Sequence, residues 1–134
     1  MPLVTIDLLQ GRPSSELDAI SQSIQEAMVE HLNVPPRDRF QIVTEHSPAT
    51  LRFDRDYLEI DRDDGFVLVR VTLAKGRASD AKRVFYRRLA DLLAERIDLR
   101  TDNLAVVMVE NGRADWSFGG GRASYLELPP EEWR

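Results

Sequence analysis

The second residue of the chain carries the first hint of chemistry. The sequence begins Met1-Pro2, and a methionine ahead of a small residue such as proline is ordinarily removable, which would leave Pro2 with a free secondary amine. An α-amino group titrates near ~8, closer to neutrality than any lysine, and burial or neighbouring cations move it further. Such an amine can act as general base, general acid or carbonyl-attacking nucleophile. Two Gly-Arg steps, Gly11-Arg12 and Gly76-Arg77, each stand between a strand-like and a helix-like segment. A cation does not suit the amino end of a helix, so Arg77 is easier to explain by an anionic ligand, although a solvated arginine also fits. Trp116 and Phe118 lead into Gly119-Gly120-Gly121. Aromatics are ordinarily core, yet three adjacent glycines suggest backbone lying close to something.

Other chemistries lack their residues. With no cysteine there is no disulfide framework, thiol nucleophile or thiolate metal site. The two histidines, His31 within a helical segment and His46 after a strand, have no supporting cluster, so no metal is expected. The glycine run is not followed by Gly-Lys-Ser/Thr and no GxGxxG occurs, so no nucleotide cofactor is implied.

The elements around these residues come in two similar sets. Leu3–Leu8 alternates, with Val4, Ile6 and Leu8 on one side, the period of a half-buried strand. Ser14 or Ser15 can cap a helix whose stripe is Leu17, Ile20, Ile24, Met28 and Leu32. Asn33-Val34-Pro35-Pro36 ends it, and Phe40–Thr44 reads as the next strand. Phe66–Leu73 then alternates with Val67, Val69, Val71 and Leu73 inward, a helix follows with Phe85, Leu89, Leu92, Leu93 and Ile97 along one face, and Leu104–Val109 closes the set. The Gly-Arg steps lie 65 residues apart, and similar order at a nearly constant offset indicates duplication. Between the units, Leu51–Gly65 reads as a charged linker with a possible hairpin, and Tyr125–Leu128 as a short strand before a polar end.

Each strand–helix–strand passage allows a right-handed crossover between parallel strands. The expected fold is α/β (α+β): two fused β-α-β units forming one four-stranded sheet with both helices on one face. Residues 1–134 would be one domain, with pseudo-repeats at about 2–50 and 66–111. The bare sheet face needs a cover, which three copies would supply, so a homotrimer is expected.

Composition agrees with a soluble enzyme-sized domain. The 134 residues are 43% hydrophobic and 31% charged, a globular mix. No apolar run approaches the ~20 residues of a membrane span, and the start does not read as a signal peptide, so a cytoplasmic location is expected. The net charge is −5, and Lys82, Arg83, Arg87 and Arg88 fall on an outer helix face. Neither nucleic acid nor membrane is expected as a partner.

Taken together, these landmarks resemble the tautomerase superfamily and, within it, the malonate semialdehyde decarboxylase-like family. The resemblance rests on Met1-Pro2-Leu3, Gly11-Arg12, Val34-Pro35 with Asp38-Arg39-Phe40, Gly76-Arg77 with Lys82 and Phe85-Tyr86, and Glu110-Asn111. Ala114-Asp115-Trp116-Ser117-Phe118-Gly119 with Gly121-Arg122-Ala123 is the most specific part. The resemblance implies that Pro2 is the catalytic amine, that Asp38 is the active-site aspartate, and that Arg77 binds a substrate carboxylate. It also implies that Trp116 and Phe118 wall the pocket. Lys75 falls where the family has a second arginine, and lysine lacks the planar two-donor fork. By residue type alone, Asp38 could equally end a loop or cap a turn. The expected activity is cofactor-free chemistry on a small carboxylate-bearing oxo acid, decarboxylase-like. The alternatives are a promiscuous keto-enol tautomerase or hydratase, or a non-catalytic ferredoxin-like module binding a small acid or a partner.

Overall fold

The computed structural model describes residues 2–129; Met1, whose removal the sequence reading requires, and the polar end 130–134 lie outside them. Four strands form one sheet: β1 Leu3–Leu9, β2 Phe40–His46, β3 Val67–Ala74 and β4 Leu104–Asn111, in spatial order β2-β1-β3-β4. β1 runs parallel to β2 and β3 parallel to β4, while β1 and β3 are antiparallel. The central strands thus come from different units, so the two halves share one sheet.

Helices α1 (Ser14–His31) and α2 (Ser79–Ile97) pack against each other and the same sheet face. Val4, Ile6 and Leu8 of β1 and Val67, Val69, Val71 and Leu73 of β3 are fully buried beneath Ile20, Ile24, Met28, Phe85, Leu89 and Leu93. This one-sided burial produces the period-two signal in the central strands. Turns after β1 and β3 pass through Gly11 (φ +120) and Gly76 (φ +129), where added Cβ atoms would meet nothing; backbone conformation, not space, demands glycine there. No described helix is long and apolar enough to cross a membrane.

Three local expectations are corrected. The position before α1 is Pro13, without a side-chain cap hydrogen bond, so neither Ser14 nor Ser15 caps the helix. The 51–65 linker forms a 3-10 turn at Tyr57–Glu59, not a hairpin. Asp54 accepts the Asp56 N–H at 3.0 Å, and Arg62 Nη1 donates to the carbonyls of Asp54, Tyr57 and Ile60, so the segment bonds to itself. Finally, Ser124–Glu127 is a helical turn, α3, not a strand. The Leu126 and Glu127 N–H groups both bond to the Ala123 carbonyl.

The other sheet face has no helix over it. Ladder partners share a face, which aligns Phe40, Leu3, Thr72 and Val109 in one row and Ile42, Thr5, Arg70 and Val107 in the next. Phe40 (48%), Ile42 (52%), Val107 (43%) and Val109 (44%) are well exposed there. Asp7 and His46 pair on it at 2.6 Å.

Candidate active site

Topology brings the chemistry-bearing residues to one end of the sheet. Pro2 is buried immediately before β1. Because Leu3 lies opposite Phe40 on one side and Thr72 on the other, the segment leading into β2 and the segment leaving β3 flank Pro2. The first carries Asp38 and the second Lys75 and Arg77. Ala74 lies opposite Asn111, so the tail carrying Trp116 and Phe118 starts at this same end.

Asp38 is half-buried in the turn between α1 and β2, its N–H bonded to the Pro35 carbonyl at 3.0 Å. Burial pushes its carboxyl above the ordinary aspartate range, against the pull of Arg77, whose charge lies within its electrostatic reach. Arg77 is half-buried; its Nε donates to the Leu32 carbonyl at 2.9 Å and its Nη1 to the Ala74 carbonyl at 3.1 Å. The guanidinium therefore ties the end of β3 to the end of α1 while adding positive charge beside Asp38. Lys75 is exposed, and its backbone N–H bonds to the Asn111 carbonyl at 2.9 Å. Glu110 feels its charge but is held down chiefly by its bond to Lys82, 2.6 Å away.

The tail forms an aromatic cluster in which Trp116 is half-buried and Phe118 exposed. Trp116 Nε1 donates to Asn111 Oδ1 at 2.8 Å, and the Phe118 N–H donates to Ser124 Oγ at 2.9 Å. The rings of Trp116 and Phe118 stand 5.6 Å apart, and Phe118 meets Tyr125 edge-on at 5.0 Å. Sequence reasoning missed Tyr125, because a strand-like reading of its segment hid the α3 turn that delivers it. Burial pushes its hydroxyl up, Asp38 adds to that, and Arg77 and Arg113 oppose it. Tyr125 thus joins Asp38 and Arg77 in one electrostatic neighbourhood, with the Arg113 guanidinium 5.9 Å from its ring centroid. Gln25 was also missed: it donates to the Asp38 carbonyl from α1 at 3.2 Å.

The equivalent end of the second unit is filled. Phe66 precedes β3 as Pro2 precedes β1, and Phe53 of the linker stacks on it at 4.4 Å. Arg12, the counterpart of Arg77, donates to the Gly65 carbonyl at 2.8 Å. A buried phenylalanine and a bonded arginine leave that end a structural role. No His, Asp and Glu grouping fit for a metal occurs among the described residues.

The comparisons with known proteins agree with a sheet of paired β-α-β units. A family model described as a tautomerase enzyme matches residues 38–119, and another so described matches residues 2–54. The chain belongs to the tautomerase family. Among curated proteins it is 32% identical to the probable tautomerase YusQ of Bacillus subtilis (strain 168), over 95% of this chain and 100% of that one. It is 38% identical to the probable tautomerase YrdN of the same organism, over 94% and 97%. A solved malonate semialdehyde decarboxylase, described with decarboxylase and hydratase activities, superposes with a TM-score of 0.86 at 34% identity, covering 92% of this chain and 95% of that one. A trimeric protein described as fused 4-OT reaches 0.75 at 16% identity, covering 94% and 99%, a likeness of fold alone.

Proposed function

We propose that this chain is a cofactor-free enzyme that decarboxylates a small 3-oxo acid such as malonate semialdehyde through the amine of Pro2, freed by removal of Met1. What supports the reading is that buried Pro2 is flanked by the segments carrying half-buried Asp38 and Arg77, at the sheet end where the aromatic tail begins, in a chain 34% identical to a malonate semialdehyde decarboxylase. Arg77, with Lys75, holds the substrate carboxylate. Asp38 as carboxylate favours the protonated Pro2 amine, which donates to the carbonyl oxygen. The bond between the carboxylate carbon and the adjacent carbon breaks, its electron pair forms the enol, and carbon dioxide leaves. The enol then becomes the aldehyde by taking a proton from water at carbon and returning its hydroxyl proton to the Pro2 amine. Trp116 and Phe118 exclude water, which strengthens the pull on the carbonyl.

A second reading, hydration or tautomerisation of an oxo acid, is favoured by one observation. Arg77 spends Nε and Nη1 on backbone carbonyls, so with Lys75 it fixes a carboxylate less firmly than two free guanidinium forks would. The non-catalytic binding module has no such support, since it has no use for a buried terminal proline.

The enzyme is proposed to be one domain of two repeats and a cytoplasmic homotrimer whose copies cover each other's bare sheet faces. The functional test is carbon dioxide release from malonate semialdehyde by protein verified to lack Met1. Turnover should fall by ~10²–10⁴-fold in Pro2→Ala, the worth of a positioned general acid. Equal rates in the two proteins would remove Pro2 from the mechanism.

A further inference from the structure

We infer that Gln25 is a positioning residue: from the core side of α1 it holds the 36–38 turn and so sets the carboxyl of Asp38. The inference rests on the proposed role of Asp38 and adds the residue that fixes it.

Gln25 is only 5% exposed, on a helix whose neighbouring positions Ile24, Ala27 and Met28 build the core. Its Nε2 donates to the carbonyls of Pro36 at 3.4 Å and Asp38 at 3.2 Å. One amide thus grips both ends of the turn that presents the aspartate. One helical turn earlier, Ser21 and Gln22 receive the Arg39 guanidinium at 2.9 Å each, so α1 fastens the passage into β2 at successive points. The same helix ends at Leu32, whose carbonyl holds Arg77, and α1 is therefore the common frame for Asp38 and Arg77.

Stability alone does not explain a glutamine here. Gln25 Oε1 is buried without a hydrogen-bond partner among the described residues, and an unfilled buried acceptor costs free energy that a methionine of similar shape would not. The amide is useful for what its nitrogen does to the turn. The charged and titratable groups that bear on Asp38 include Arg77 from the β3–α2 turn, Tyr125 from α3 and the chain neighbours Arg37 and Arg39. None of them lies on α1, so removing the Gln25 amide alters no charge around Asp38 and acts through its placement.

The experiment compares wild type, Gln25→Met, Gln25→Glu, Asp38→Asn and the Gln25→Met/Asp38→Asn double variant in malonate semialdehyde decarboxylation across pH. Gln25→Met should keep the wild-type Tm or exceed it. Its kcat should fall on the order of tenfold, as a misplaced catalytic group requires, with KM within about twofold. The pH limb that belongs to Asp38 should move to lower pH as the loosened carboxyl gains water. Gln25→Glu, which replaces the amide by a carboxyl and adds a titratable group beside Asp38, should also lower kcat. In the Asp38→Asn background, Gln25→Met should cost nothing further. If Asp38→Asn slows turnover while Gln25→Met keeps wild-type kcat and pH limb, or lowers the residual rate of Asp38→Asn as much as it lowers wild type, the inference is overturned alone. Wild-type turnover in Asp38→Asn would overturn the role of Asp38 and the inference with it.

Discussion

In the proposed mechanism, Lys75 and Arg77 decide how tightly a carboxylate is oriented at the site. Breaking a carbon–carbon bond next to a carbonyl needs that bond aligned with the π system, so the carboxylate must be fixed as well as neutralised. Lys75 supplies charge without a fork, and Arg77 already spends two donors on the backbone. Lys75→Arg should raise decarboxylation relative to hydration or tautomerisation of an oxo acid. Arg77→Ala should lower both on the order of 10²-fold, since it loses the charge and unties the β3 turn from α1. Measuring both reactions on the two variants at one pH checks this; unchanged rates in Arg77→Ala would put the carboxylate site elsewhere. Asp38 and Arg77 were nameable from sequence because each sits in a short specific run, Asp38-Arg39-Phe40 and Gly76-Arg77. Tyr125 and Gln25 were not, because their places depend on a turn and a helix packing that no local motif records.

Among the elements, the central strands were the most legible. Their alternation is sharp because one face is wholly buried, whereas edge strand β2 is mostly exposed and gave only its position. The linker was illegible for a different reason: side chains, not ladder bonds, organise it. Asp63 accepts from the Gly65 N–H and Asn103 Nδ2 at 2.8 Å each, and from Arg100 Nη2 at 2.9 Å. These donors, the Gly65 N–H foremost, hold its carboxyl down from 3.8 to about 2. A carboxyl with a lowered folded pKa stabilises the fold above its unfolded pKa, and the contribution is lost as pH falls through about 2. The wild-type Tm should therefore drop more steeply than that of Asp63→Asn between pH ~4 and ~2. Parallel melting curves over that range would show that Asp63 does not couple the linker to β4.

At the scale of the whole molecule, the two β-α-β units differ at their ends: one carries the proposed site and the other is filled. Pro2 and Phe66 hold matching places before β1 and β3, and only Pro2 can present an amine; the Phe53 ring closes the other end. The offset of the Gly-Arg steps suggested two similar units, but the filling of the second end left no such signal, since Phe53 reaches Phe66 only through the folded linker. The bare face, with Phe40, Ile42, Val107 and Val109 exposed, presents more clustered apolar surface than a monomer ordinarily leaves in water. Light scattering should give three times the chain mass, and Ile42→Asp should shift the protein toward monomer. A wild-type monomer at working concentration would leave this face without its proposed cover.

The central claim is that the amine of Pro2 does the chemistry. Its most direct test is malonate semialdehyde decarboxylation by two preparations of the same sequence, one lacking Met1 and one retaining it, each verified by intact mass and matched in Tm. The Met1-free protein should turn over, and the Met1-retaining protein should be slower by ~10²-fold or more. Equal turnover in the two would contradict the account.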